Sequence, residues 1–462
     1  MYRKYSLLAL LGVAATLVSS ASAIIFVEET INVGNAPWAM VYDSIDQKVF
    51  VANHGSSSVS VINPATDVVT ATIPVEEYPS AICWSPTSTK VYVVCTPLSG
   101  NGTVTVIDAY TNAALTSISV GQSPAAIVWC SARNKAYCMN RTSATIAVID
   151  CQSDQVVANI TLPNQTPNDI AYNATNDHIY VSSSAYQQNG RVRAIDCATD
   201  QIVATITCAY GTADVEVNPV SNKVYAANTG GTTVTVINGA TNQRIGNITT
   251  RPTPTPLLWV PPNKLFVGEY WDSTVAYLGG DDLSIPTANH IPVAGTPKTL
   301  LLSPDCQQVF SGLDLASRVV ALNSRDGQER VLELLDVNSG PQAMVYYQPQ
   351  NRVFVGNAWD STVTVIRTEV GIEESGKPIP PSGPALVRAL PSPAPARHMV
   401  SFSATGFAPT RLDIRDATGR LLTTSSFAIS TSSFSSYFSS PGVYFCTLSD
   451  GIRSAACKLA VR

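Results

Sequence analysis

Lys48-Val-Phe-Val-Ala-Asn53, Lys90-Val-Tyr-Val-Val94, Lys135-Ala-Tyr-Cys-Met-Asn140, His178-Ile-Tyr-Val181, Lys223-Val-Tyr-Ala-Ala-Asn228, Lys264-Leu-Phe-Val-Gly268, Gln308-Val-Phe-Ser-Gly312 and Arg352-Val-Phe-Val-Gly-Asn357 are eight versions of one strand motif. Their first residues lie 42, 45, 43, 45, 41, 44 and 44 residues apart. A fixed period filled with strand-like segments signals a radial or stacked array rather than a conventional core.

Around each anchor the same pieces recur. Eleven residues upstream stand Pro37, Pro79, Pro124, Pro167, Pro297 and Pro341, with Thr212 in the fifth unit and Pro254 one residue closer in the sixth. Proline lacks the N–H that a central ladder needs, so it belongs at the first position of a strand or in the turn before it. Downstream comes a third strand, as in Val59-Ser-Val-Ile62, Val104-Thr-Val-Ile107 and Val363-Thr-Val-Ile366, and an alternating run such as Val69 to Ile73 supplies another. Short alternating strands separated by turns predict four-stranded antiparallel blades. The fold class is therefore all-β, an eight-bladed β-propeller. A β-helix is the rival array, but it favours shorter repeats of parallel strands. The last unit has no obvious fourth strand. The orphan run Ile24 to Val33 can supply it and so close the ring without leaving exposed edges.

Proline, an apolar strand, Lys-Val-Tyr-Val-Ala-Asn and Thr-Val-Thr-Val-Ile-Asp together resemble the YVTN repeat, or YncE-like, family of β-propellers. The resemblance spans residues 24–368 and implies an extracytoplasmic setting in a functionally diverse family. Many members of that family have seven blades, which is the alternative to the eight anchors counted here.

The N-terminus has Arg3 and Lys4, an apolar run from Ser6, and Ala21-Ser22-Ala23. This order predicts a secretory signal peptide over 1–23 with export to the cell surface or the medium, the periplasm being the alternative. No later apolar run is long enough to span a membrane. The net charge is -5, and -7 once the leader takes its two cations away. Without basic clusters, such a chain argues against nucleic acid as a partner. Residues 369–383 read as a Pro/Gly/Ser linker, and 384–462 as a small β-sandwich with turns at Asp416-Ala-Thr-Gly419 and Ser449-Asp-Gly451. Asp416-x-x-Gly419-Arg420-Leu421, Pro441-Gly-Val-Tyr444 and the final Lys458-Leu-Ala-Val461 strand resemble C-terminal sorting domains of type IX secretion and the related FlgD-like Ig modules. The usual Pro-Asn-Pro near the start of such domains reads Pro391-Ser392-Pro393 here. That resemblance implies the secretion machinery as a partner.

Ten cysteines in an exported chain permit disulfides. Cys83 with Cys95, and Cys130 with Cys138, are placed symmetrically about the residue before their anchors. They are either cross-strand bridges or small buried thiols. Cys446 and Cys457 fall on opposite arms of the last hairpin but out of direct register about Asp450-Gly451. The four histidines fall at unrelated repeat positions, which argues against a histidine-rich metal site, and no nucleophile elbow or phosphate loop is present.

Two constellations remain. Nine residues before the anchor most units have a small residue, as in Ala39, Ala81, Ala126 and Ala343, but the fourth and fifth have Asp169 and Asp214, with Glu216 two residues on. On the innermost strand these carboxylates line the channel. They could hold Ca2+, act as acid and base on a sugar or lactone, or bond to backbone N–H groups. No other cofactor is expected. The second constellation is aromatic: Trp38, Tyr78, Tyr186, Tyr270, Trp271 and Trp359 fall in loops expected at one mouth of the ring, suited to carbohydrate or peptide, with loop packing as the plain alternative. The sequence thus reads as a secreted, non-enzymatic binding propeller for a cell-surface protein or carbohydrate. Its alternatives are a hydrolase or lactonase using the channel carboxylates, and a structural surface-layer protein.

Overall fold

The computed structural model describes residues 24–185, 188–279, 288–325 and 329–369, together with the strands that follow residue 385. The leader, the linker from residue 370 and Tyr186 lie outside the described residues. The chain divides into two compact units between Gly371 and Ile372.

The first unit is a ring of eight four-stranded antiparallel sheets. Seven blades run in chain order from an innermost strand beginning at or beside the recurring proline, or its stand-in, to an outermost strand, as in Pro37–Asp43, Lys48–Asn53, Ser58–Asn63 and Val68–Pro74 of blade one. The eighth is closed from the other end of the chain. Ile24–Asn32 pairs antiparallel with Thr362–Glu369 and becomes the outermost strand of blade eight. A bulge at Glu28 lets its carboxylate bind Arg367 at 2.7 Å and Arg352 at 2.8 Å.

The anchor motif holds neighbouring blades together. Its aromatic residue, Phe50, Tyr92, Tyr137, Tyr180, Tyr225, Phe266, Phe310 or Phe354, is fully buried in every blade. Burying one such ring stabilises by roughly 2–3 kcal/mol. Its first residue reaches the outer turn of the next blade. Lys90 Nζ lies 2.7 Å from Asp154, Lys135 Nζ 2.7 Å from Asp200, and Arg352 Nη1 3.1 Å from Asp67 across the ring closure. Three of the anchor tyrosines donate their hydroxyl to the same turn: Tyr92 to Asp154 at 3.0 Å, Tyr137 to Asp200 at 2.6 Å and Tyr180 to Asn242 at 2.6 Å. The terminal asparagine ties the second strand to the third, since Asn228 Nδ2 donates to Thr233 and Thr235 and Asn357 Nδ2 to Thr362 and Thr364. Lysine, aromatic, asparagine and threonine therefore recur because each closes one contact of the array.

In the second unit, Leu386–Leu390, His398–Thr405 and Ser433–Phe438 form a three-stranded sheet, and Leu421–Ser426, Arg411–Asp416, Gly442–Ser449 and Ser454–Val461 a four-stranded one. Ser449 pairs with Ser454, so the turn centres one residue later than the sequence reading placed it. Cys446 consequently stands directly opposite Cys457.

The proposed bridges within the propeller are not formed. Ser85 pairs with Lys90 and Cys130 with Lys135, each across a four-residue turn. Cys83 therefore faces Tyr92 and Cys95 faces Pro79, while Cys138 faces Ile127. The symmetry point used for both pairs lay too far along the chain, and all four thiols are free and buried. Among the described residues no helix is long and apolar enough to cross a membrane.

Candidate functional site

In each blade the turn into the innermost strand and the loop after the second strand lie on one face of the ring. In blades one, two, three, five, six and eight the two are stitched by a backbone bond: His54 N–H to Ala36 O at 2.8 Å, Thr96 to Tyr78 at 3.1 Å, Arg141 to Ser123 at 2.9 Å, Thr229 to Gly211 at 3.0 Å, Tyr270 to Thr253 at 3.1 Å, and Ala358 to Gly340 at 2.8 Å. The accepting residue has a positive φ each time, from 51° at Ser123 to 74° at Gly340. A bulge follows in all eight innermost strands, for example between Pro37 and Ala39, and between Thr212 and Val215. Bulges re-aim backbone groups, here toward the channel.

Asp169 and Asp214 use those groups. Val215 N–H donates to Asp169 Oδ2 at 3.0 Å, and Leu257 N–H to Asp214 Oδ2 at 2.6 Å. Each carboxyl thus clasps the next blade. The two also hydrogen-bond each other. Burial pushes both above the usual carboxylate range, and Asp169 rises further because the charge of Asp214 faces it. Glu216 is pushed up to about 8, first by burial and then by the charge of Asp214, against backbone bonds from Trp259 and Val217. Asp169 and Asp214 line the channel cavity, Glu216 lies near enough to feel the charge of Asp214, and the backbone N–H bonding offered as an alternative is present for the two aspartates. Among the described residues, the trio whose ligand atoms all lie within 4.8 Å of one another is a different one: Cys130, Asp177 and Cys197. There Asp177 is already engaged by Arg133 at 2.8 Å and by the Tyr172 hydroxyl at 3.2 Å.

Above the carboxyl pair the channel opens into a cavity of about 560 Å3 lined by Arg141, Asn168, Asp169, Ser184, Asp214 and Lys298, among others. Asn168 is fixed, since its Nδ2 donates to Ser184 Oγ and to Thr212 O, both at 2.8 Å, and its Oδ1 accepts from Arg141 Nη2 at 3.3 Å. Arg141 and Lys298 are exposed and make no ion pair with another described residue.

The described aromatics share this face but form separate groups. Trp38, His54 and Tyr78 make a row across blades one and two, with ring centroids 5.0 and 5.2 Å apart. Tyr270 packs edge-on against Trp271 at 5.0 Å and donates to Asp314 at 3.2 Å, which anchors its loop to blade seven. Trp271 and Trp359, at equivalent points of blades six and eight, are 74% and 72% exposed. Trp359 lies directly over Gly340, where a Cβ would come within 1.5 Å of Cδ1. No ring contact among the described residues joins either tryptophan to the Trp38 row.

No protein-family model matches the chain, and no curated protein matches it. Solved structures do. The hydrazine synthase of Kuenenia stuttgartiensis superposes with a TM-score of 0.52 at 19% identity, covering 72% of this chain and 96% of that one. The computationally designed Ika8 protein gives 0.58 at 18% identity with the same coverages. At these identities the likeness is one of fold alone.

Arg141, Asn168 and Lys298 escaped the sequence reading. A usable signal was present: the residue after the entry proline rims the mouth. Through the eight blades it is Trp38, Ser80, Ala125, Asn168, Ala213, Thr255, Lys298 and Gln342, and four of these line the cavity. Lys298 is the charged member of that set.

Proposed function

We propose that this chain is a non-enzymatic binding propeller of the YVTN-repeat kind, exported by its leader and directed to the cell surface by its C-terminal unit. It engages a protein or carbohydrate through the face that carries the channel mouth. The observation that carries this reading is the pair of tryptophans, Trp271 and Trp359, standing about three-quarters exposed at equivalent loop positions. Water-exposed indoles held by a rigid scaffold are suited to be contact anchors. The sorting reading rests on the sequence of the C-terminal unit.

The test is a screen of the full mature chain on glycan and surface-protein arrays, beside Trp271→Ala and Trp359→Ala. Saturable binding lost in both variants supports the reading, and binding indifferent to both rejects it.

One observation favours a second reading, a hydrolase. Asp169 and Asp214 stand side by side on the cavity wall and hydrogen-bond each other, a pairing of carboxyls that suits acid–base chemistry. Against it, each carboxyl already accepts a backbone N–H from the neighbouring blade. Turnover of an array ligand abolished by Asp169→Asn would favour the hydrolase.

A further inference from the structure

We propose that the channel-mouth cavity binds a uronic-acid residue of an acidic glycan, its carboxylate held by Arg141 and Lys298 and its hydroxyls by the Asn168, Ser184 and Asp214 side of the wall. This deepens the binding-module reading and rests on it.

The cations come first. Arg141 projects from the loop of blade three and Lys298 from the innermost strand of blade seven, so the mouth has a cation on each side of the carboxyl pair in blades four and five. Neither is neutralised by a carboxylate among the described residues. Two cations without an ion-pair partner among the described residues, at the rim of a polar cavity open to solvent, suit an anion.

The floor then limits the anion. Asp169 and Asp214 put carboxyl oxygens, already hydrogen-bonded to backbone N–H groups of the next blades, on the cavity wall. A phosphate dianion placed above them meets repulsion that a single carboxylate largely escapes. A nucleic-acid strand needs a continuous basic track, and this net-acidic chain shows two isolated cations here.

The walls supply what a sugar needs. Asn168 is locked by its bonds to Ser184 and Thr212, so its orientation is set before a ligand arrives. Ser184, Thr229 and Thr255 add hydroxyls. Trp38 stands at the rim position of blade one, 40% exposed, and offers a flat surface for the apolar face of a second sugar. The volume of about 560 Å3 falls within the roughly 300–1,000 Å3 typical of small-ligand sites.

Calorimetry on the full mature chain tests this with trisaccharides of galacturonic, glucuronic and guluronic acid, the neutral galactose and glucose trisaccharides, and inorganic phosphate. At least one uronate is expected to bind about tenfold or more tighter than its neutral counterpart, because a charge-assisted contact contributes at least about one factor of ten. Arg141→Gln and Lys298→Gln, both at exposed positions that leave the blades intact, are each expected to lose about tenfold, and the double variant to bind uronate no better than the neutral sugar. Equal affinity for neutral sugars, an unchanged double variant, or no binding of any uronate overturns the proposal. Phosphate binding as tightly as uronate also overturns it and leaves a general anion site. If uronates fail while array binding still depends on Trp271 and Trp359, this inference alone falls. If uronate binds but no partner depends on the tryptophans, the tryptophan-centred module reading falls instead.

Discussion

Replacing Glu216 by glutamine should flatten the pH dependence of stability. Glu216 sits half-buried on the innermost strand Thr212–Asn218, with its carboxyl raised from 4.5 to about 8 by burial and by the charge of Asp214. Between those values the folded chain keeps a proton that the unfolded chain has lost. Stability is therefore highest at acidic pH, falls as pH rises from 4.5 toward 8, and levels off above 8 as far as this group is concerned. The full interval corresponds to roughly 5 kcal/mol at about 1.4 kcal/mol per unit. Channel water reaches part of the side chain and screens it, so about 2–3 kcal/mol is the expected effect. Glutamine keeps a carbonyl to accept the backbone N–H bonds and cannot ionise. Asp169 also has a raised value and stays in both proteins, so the difference between them isolates Glu216. Urea unfolding of wild type and Glu216→Gln at pH 4.5, 6, 7 and 8 should give curves that agree at pH 4.5 and diverge in favour of the variant by pH 8. Parallel curves would mean that Glu216 titrates alike in the folded and unfolded chains, and the buried-channel argument would fail.

Tyr137→Phe removes the hydroxyl that reaches Asp200 at 2.6 Å and should cost about 1–2 kcal/mol in urea unfolding; no loss would remove the inter-blade role assigned to the anchor tyrosines. Deleting residues 24–33 bares the edge of Thr362–Glu369 and strips Arg352 and Arg367 of Glu28, so size-exclusion chromatography should show self-association and melting a lower midpoint. A monomer of unchanged melting temperature would contradict the ring closure. Asp214→Ala leaves Leu257 N–H without its acceptor and should cost about 1–3 kcal/mol, with no calcium-dependent melting shift in either protein. A calcium shift present in wild type and lost in the variant would instead establish a cation site at the carboxyls.

The ring was legible because its contacts repeat. Phe50, Tyr92 and their six equivalents are buried at one point of the period, so spacing alone revealed the blade count, and the orphan strand Ile24–Asn32 was assigned by what blade eight lacked. Partners across blades were not legible. Lys135 and Asp200 lie 65 residues apart, and only the ring makes them neighbours. The cysteine pairs failed for a local reason: a four-residue turn moves the hairpin centre, and a small shift in register changes which side chain stands opposite. At the mouth, the carboxylates stood out against small residues such as Ala39, Ala81, Ala126 and Ala343, whereas Arg141 lies in a loop that no period marks and Lys298 at the position after the entry proline, where the side chain differs from blade to blade. The grouping of the described aromatics into a row, a pair and a lone Trp359 depends on rotamers and loop lengths that a linear pattern does not encode.

The central claim is that the mouth-bearing face binds a partner. Its most direct test is saturation binding of the strongest array ligand to the full mature chain, wild type beside the Trp271→Ala/Trp359→Ala double variant, with circular dichroism to confirm the fold of both. Loss of two large exposed contact residues should weaken binding at least about tenfold with an unchanged fold. Undiminished binding by the double variant, or release of a chemically altered ligand by the wild type, would contradict the account.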